Sequence, residues 1–375
     1  MSYPKQKPKT LSLSEALDLG RRRHQAGALT DAQKLYELVL EAQPNNTDAL
    51  TLLASIAFRL GQEEKGCKVL DQAIELYSNT VRERPWEMGA LAPLVNFLLA
   101  RNRTAEAEEK IRRLEFPLIP VRASEEAFDE RRRRAIAAGR PSMVITTVPK
   151  SASESIWNKL AEGLDLGQCH LALGLFPDCC LMPSRVRTAA EGGLIVKEHI
   201  LATPHNLQTL REHGIDRIVV QLRDPRQALL SWVHFVRDDV NQRLLAPLWR
   251  KIVPAPEVFE QPLEQQIDWG IERYLPYLID FAGGWKTADD AEDSGLQVHF
   301  ATFEHFRTDP EAYIAGVLDF YGIDRADFRS DAEAEVVHLR KGQIDEWREV
   351  FTPAQKATAW ARIPEEMAAQ HGWTP

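Results

Sequence analysis

From Pro141 onward the chain alternates short apolar, β-branched runs with amphipathic stretches of helical period, a pattern few architectures accommodate. MVITTV, GLIVKEH, RIVVQL and LQVHFATF read as strands. Three of them are near-continuously apolar, as expected of parallel strands covered on both faces. SIWNKLAEGL, HNLQTLREHG, ALLSWVHFVRDDV and EAYIAGVLDFYGI read as helices between or after them. The expectation is an α/β domain of three layers, a parallel sheet with helices on both faces.

The first hundred residues differ in kind. Ala16, Leu19, Gly20, Gly27, Ala32 and Tyr36 are echoed 34 residues later by Leu50, Leu53, Ala54, Gly61, Gly66 and Leu70. A third copy, displaced by an insertion around Arg82 to Trp86, offers Leu91, Leu94, Val95, Asn102, Ala107 and Ile111. Small residues such as Gly20, Ala32 and Gly66 let antiparallel helices approach, while Leu and Tyr fill the grooves between them. Gly27 and Gly61 supply turns, and Pro44 ends a helix. This spacing resembles the tetratricopeptide repeat; an ordinary helical bundle is the alternative. The expected limits are 1–115 for this all-α domain, 116–140 for a connector and 141–375 for the α/β domain. In the connector, Arg131 to Arg134 read as a solvated helix face offset by the acids before them, rather than as an anion site.

The stretch MVITTVPKSASESIW (Met143 to Trp157) joins a strand to a helix through small hydroxyl residues and a lysine. Unsatisfied amides and the helix dipole make such a junction an anion site. Lys150 adds a full charge, and Ser151, Ser153 and Ser155 add donors. The lysine precedes the small residues and no glycine is present, unlike the loop of nucleoside triphosphatases. Ser151-Ala-Ser-Glu154 also fits a capping box with no ligand. Both readings stand on this stretch alone.

Two further segments bear on it. In RIVVQLRDPRQALLSWVHF, Arg223 stands at a strand's end and Ser231 on the helix that follows. In RKGQIDEWREVFT, Arg340, Lys341 and Gly342 precede a helical stretch. In this order the three segments resemble the sulfotransferases that use 3′-phosphoadenosine 5′-phosphosulfate (PAPS). TVPKSASES is similar to their 5′-phosphosulfate loop, PKSGTT or PKTGST. LRDPRQALLS is similar to RDPxDxxxS, and RKGQIDEW to RKGxxGDW. The resemblance runs from about Met143 to the end of the chain and implies a P-loop-like fold. It assigns Lys150, Ser151, Ala152, Ser153 and Ser155 to the 5′-phosphosulfate. Arg223 and Ser231 fall to the 3′-phosphate, with Arg340, Lys341 and Gly342 closing over it. PAPS would be the donor and the bisphosphate PAP the product, with no metal. Forked arginine contacts and a lysine point charge suit such a polyanion.

Four departures stand out, among them Asp345 where the family's second glycine sits. Ala152 replaces the usual glycine, which predicts a loop confined to negative φ. Glu154 stands where threonine is common. A carboxylate about 4 Å from a phosphosulfate oxygen costs about 4 kcal/mol at an effective dielectric near 20, so Glu154 should point away. The tryptophan expected to stack on adenine is missing from its usual place, Trp157 lying two positions late.

Sulfuryl transfer asks the protein mainly for positioning and charge stabilisation. Lys150 is placed to neutralise the oxygen bridging sulfur to the departing phosphate. The acceptor proton needs a base. GLIVKEHI ends in Lys197-Glu-His199, which resembles the family's KxH element and makes His199 the base, with Lys197 assisting Lys150. Glu154 is the other candidate. Ser231 would contact both the 3′-phosphate and the catalytic lysine.

A net charge of −9 argues against nucleic acid or an anionic membrane as the main partner. Four cysteines are too few for a disulfide framework, and no apolar run approaches the ~20 residues of a membrane span. A reduced, cytoplasmic setting is the expectation. The helical repeats would serve a protein partner, a second copy of the chain or a large acceptor. The acceptor class itself, glycan, protein, lipid or small alcohol, is not legible. Two other readings compete: a repeat scaffold with an inactive enzyme-like half, and a nucleotide kinase.

Overall fold

The computed structural model describes residues 11–84, 88–112, 115, 117–238, 258, 261–291, 295–330 and 342–375. They divide into two compact units, one running to Asn102 and the other beginning at Arg103.

The first unit is helical: α1 (Leu13–Gln25), α2 (Leu29–Ala42), α3 (Thr47–Arg59), α4 (Glu63–Glu83) and α5 (Met88–Ala100). Ser12 and Glu15 close a reciprocal cap on α1, and Asn46 caps α3. Gly27 and Gly61 take φ of 77° and 68° in the turns after α1 and α3, where a Cβ would be strained. Asn102 reaches φ 57° at the corresponding turn after α5. The small residues do what their spacing implies. A Cβ on Gly20 would lie 2.4 Å from the Tyr36 ring, and one on Gly66 2.5 Å from Phe58. Tyr36, Ala32, Ala49, Ala54 and Leu50 are fully buried between the helices. α1 with α2 and α3 with α4 therefore form two helical hairpins.

The second unit opens with α6 (Thr104–Arg112), β1 (Ile119–Pro120) and α7 (Glu125–Ala137). Its sheet then develops through β2 (Met143–Thr147), α8 (Ser153–Leu164), β3 (Gly167–His170), β4 (Ala172–Leu173), β5 (Cys180–Leu181) and α9 (Pro183–Ala189). It continues with β6 (Leu194–Glu198), α10 (Pro204–Glu212), β7 (Arg217–Leu222), α11 (Pro225–Asp238), α12 (Leu263–Arg273) and α13 (Leu275–Asp290). β8 (Gln297–Thr302), α14 (Phe303–Thr308) and α15 (Pro310–Tyr321) complete the layer. Short helices α16 (Trp347–Val350), α17 (Pro353–Trp360) and α18 (Glu365–His371) end the chain.

The strand order is β1-β3-β6-β2-β7-β8, parallel except for β1. Ile145, Ile195 and Val219 face a core shared with Ile156, Leu160 and Leu164 of α8 and Ile314 and Val317 of α15. Val144, Val196 and Val220 alternate with them and are equally buried. Alternate residues of a strand point to opposite faces, so both faces are covered. The parallel α/β sheet expected from the apolar runs is present, and all four predicted strands lie in it. Two shorter strands, β1 and β3, extend one edge. The chain departs from β2 to one side through β3 and β6, then crosses to β7 on the other. Such a reversal opens a crevice at the carboxyl ends of the strands.

The arginine run on α7 is only in part the solvated face expected: Arg133 and Arg134 are exposed beside Glu130, whereas Arg131 and Arg132 are largely buried against acids of other elements. Arg131 pairs with Glu162 and Asp165, Arg132 with Glu191, and Arg133 with Glu130.

Candidate active site

β2, β6 and β7 deliver their last residues to one edge of the sheet. β2 ends at Thr147, and the turn behind it carries Lys150. This turn does not avoid positive φ. Lys150 stands at φ 71° and Ala152 at φ 63°. Each such residue costs about 1–2 kcal/mol when it bears a Cβ. The expectation that Ala152 confines the loop to negative φ is thus overturned: the loop adopts the left-handed geometry without glycine.

The capping box is also not formed. The cap of α8 is Ala152, with no side-chain hydrogen bond. The Ser151 hydroxyl instead donates to the Val148 carbonyl at 2.8 Å, and Ser151 is fully buried. The amides of residues 151–155 have no protein acceptor among the described residues, while Ile156 donates to Ala152 and begins the helix ladder. These amides, bent by two left-handed residues, make a concave anion cradle at the start of α8. Ser153 and Ser155 sit half-buried on that first turn.

β7 holds the loop from the side. Gln221 Nε2 donates to the Ser151 carbonyl at 3.1 Å, and Arg223 Nη1 to the Lys150 carbonyl at 2.6 Å. Arg223 Nη2 donates to the Gln343 carbonyl at 2.8 Å, next to Gly342 at φ 65°. Its guanidinium lies 3.8 Å from the Phe303 ring centre. One buried cation thereby joins the loop after β2, the end of β7 and the segment after Gly342. Arg340 and Lys341 lie outside the described residues. Ser231 is buried on α11 one turn ahead of Phe235, and the Lys150 ammonium lies 4.2 Å over the Phe235 ring.

Sequence reasoning missed Arg226. It is fully buried, forks onto Asp224 at 3.0 and 2.7 Å and donates to the Thr374 carbonyl. It stacks 3.7 Å from Trp347, whose amide donates to Gln227. The start of α11 is thus bonded to the C-terminal segment. An arginine flanked by Asp and Pro reads as a surface turn, and only its stacking partner 121 residues away reveals otherwise.

On the β6 side, Lys197 pairs with Glu154 and lies 5.3 Å over the Trp157 ring. Arg122 reaches the same carboxylate at 3.5 Å. Burial pushes the Glu154 carboxyl up, but the Lys197 charge and hydrogen bond, followed by the Arg122 charge, hold it below the usual carboxylate range. Glu154 therefore turns toward β6, away from the amide cradle. Trp157 is a core residue, 1% exposed, with its indole donating to the Ile195 carbonyl.

His199 follows β6. Its Nδ1 lies 2.7 Å from the Thr147 carbonyl and 2.9 Å from the Thr147 hydroxyl. A carbonyl only accepts, so Nδ1 carries the proton and the neutral ring leaves Nε2 as a lone pair. Desolvation first, then the Lys197 charge, pushes the imidazole down to about 4. The adjoining Ile200 exchanges hydrogen bonds with the Thr146 hydroxyl, which fixes this turn against β2. Glu198 is turned the other way and accepts the Leu171 and Ala172 amides.

His205 and Phe176 serve packing. His205 bonds the Leu181 carbonyl, and Phe176 packs on Tyr274 and Phe281. Among the described residues no group of three His, Cys, Asp or Glu side chains is arranged to hold a metal, and no helix is long and apolar enough to cross a membrane.

Residues 194–370 match the family model described as the sulfotransferase domain. The match covers β6, β7, Arg223 and the C-terminal segment; the loop after β2 precedes it. No curated protein matches the sequence. Among solved structures, mouse sulfotransferase SULT7A1 complexed with PAP is 14% identical, with 68% of this chain and 99% of that chain covered at a TM-score of 0.43.

Proposed function

We propose, from the match of residues 194–370 to the sulfotransferase domain model, that the protein moves the sulfuryl group of PAPS to a hydroxyl or amine acceptor. The observation that carries this reading is Arg223, whose two arms hold the carbonyls of Lys150 and Gln343. A cradle of open amides lies on the Lys150 side of that link, and the segment that begins at Gly342 lies on the other. The cradle suits a 5′-phosphosulfate, and Arg223 with Ser231 suits a 3′-phosphate. Arg340, Lys341 and Gly342 are proposed to complete the second site.

Acceptor oxygen or nitrogen attacks sulfur in line; the S–O bond to the 5′-phosphate breaks, and its electron pair stays with the phosphate. The Lys150 ammonium stabilises that oxygen. His199 Nε2 takes the acceptor proton. Glu154 is the weaker base, because Lys197 and Arg122 already engage its carboxylate. Lys197 is proposed to orient the acceptor and hold Glu154 aside.

A reducing, cytoplasmic setting is proposed from the low cysteine content of the sequence. The helical hairpins of the first unit are proposed to be tetratricopeptide repeats that recruit a protein partner, a second copy or a large acceptor. A screen with ³⁵S-labelled PAPS across glycan, protein, lipid and phenol acceptors tests the reaction. Transfer to one class supports it. No transfer to any, by protein that binds PAP, favours a scaffold with an idle site.

A further inference from the structure

The loop after β2 holds left-handed backbone at two non-glycine residues, and Ser151 lies between them. Something outside the loop must favour that shape, because an unsupported alanine leaves it readily. Gln221 occupies the right place. It is fully buried on β7, and its backbone carbonyl accepts the Val148 amide at 3.1 Å. Its side-chain Nε2 donates to the Ser151 carbonyl, and its Oε1 accepts the Tyr313 hydroxyl at 2.6 Å. Tyr313 belongs to α15 and is itself part of the core packed against the sheet.

The pairing admits one orientation. The Ser151 carbonyl only accepts, so the amide nitrogen must face it. That leaves the amide oxygen toward Tyr313, whose hydroxyl must donate. Tyr313 thereby sets the direction of the amide, and the amide sets the direction of the Ser151 carbonyl. With the Ser151 hydroxyl bound to Val148, both polar ends of this residue are committed inward. The amides on its other side are left facing the cradle.

We infer that Gln221, oriented by Tyr313, is a positioning residue that holds the anion loop in its left-handed shape where the loop itself lacks a glycine. The inference rests on the donor reading of that loop. Gln221 acts through Ser151 and Ala152 and does not touch the donor.

The test is a thermodynamic cycle read by calorimetric binding of adenosine 3′,5′-bisphosphate to the full chain. Gln221→Met keeps the volume and removes both side-chain bonds; its affinity falls about 5- to 20-fold. Tyr313→Phe deletes one oxygen and weakens binding in the same direction, by less. Adding Ala152→Gly makes the left-handed turn accessible without support. It recovers much of the lost affinity in both variants and improves binding there by a larger factor than in the wild-type background. A purely structural glutamine would not distinguish these backgrounds. Unmoved affinity in both Gln221→Met and Tyr313→Phe, or one common factor for Ala152→Gly in all backgrounds, overturns the inference while the donor reading stands. A wild-type chain that does not bind the bisphosphate overturns the donor reading, and the inference with it.

Discussion

The Arg223 guanidinium lies 2.6 Å from the carbonyl of Lys150, so the cation at the end of β7 grips the backbone of the residue that carries the other cation. The two ends of the proposed nucleotide site are therefore mechanically joined. Filling the 3′ end draws on the same side chain that shapes the 5′ loop.

Lys150 divides binding from chemistry. Its charge is needed most when the bridging oxygen becomes anionic, so Lys150→Ala should lower single-turnover rate at saturating PAPS by about 10²- to 10³-fold. Affinity for the bisphosphate should fall less, because the amide cradle remains. Near-normal turnover would remove Lys150 from the chemistry.

His199 makes a prediction in pH. Its ring is held down to about 4 by burial and by Lys197, so the free protein keeps it neutral through mild acid. The acid limb of kcat/KM should lie near pH 4–5 rather than near 6.5. His199→Gln should abolish that limb and lower kcat by about 10²- to 10⁴-fold, with bisphosphate affinity retained. A limb near 6.5, or parallel loss of rate and affinity, would point elsewhere.

Acid also tests stability. His24 is pushed down to about 3 by desolvation, then by Arg59, and both of its ring nitrogens are buried without a partner among the described residues. His371 lies near 4 by desolvation alone. An unfolded chain binds protons at these histidines below about pH 6.5 while the native one does not. Stability is therefore full above that pH and falls as pH drops through 6.5 toward 4. The urea midpoint should decrease from pH 7 to pH 5, and His24→Met should reduce the decrease. An equal decrease in wild type and variant would contradict this assignment.

Gly20 and Gly66 should respond differently to alanine. At Gly20 the added methyl meets Tyr36, which is fully buried and has no room to yield. The loss should be about 1–3 kcal/mol in urea unfolding. At Gly66 the neighbour is Phe58, which is less deeply buried than Tyr36. There the gain in helix propensity, about 1 kcal/mol, offsets much of the clash. Equal effects would argue against the close packing of these hairpins.

The buried strands were legible because their residues are apolar on both faces, and the repeat because small residues recur at a fixed interval. β1 and β3 were not: two and four residues long, they carry too little pattern to register. The site residues Lys150, Arg223 and His199 could be picked out as types at strand ends. Their partners were hidden by distance along the chain. Glu154 answers to Lys197, 43 residues on, rather than to its local cap. The left-handed turn at Ala152 is not legible from that residue's own propensity, since the bonds that hold its loop come from β7 and the residue after it, some 70 residues later.

The central claim is most directly tested by calorimetric titration of adenosine 3′,5′-bisphosphate beside ATP, in wild type and Arg223→Ala. The bisphosphate should bind wild type far more tightly than ATP, and Arg223→Ala should weaken it by about 10- to 100-fold through loss of charge-assisted bonds. Preference for ATP, or bisphosphate binding that ignores Arg223, would contradict the account.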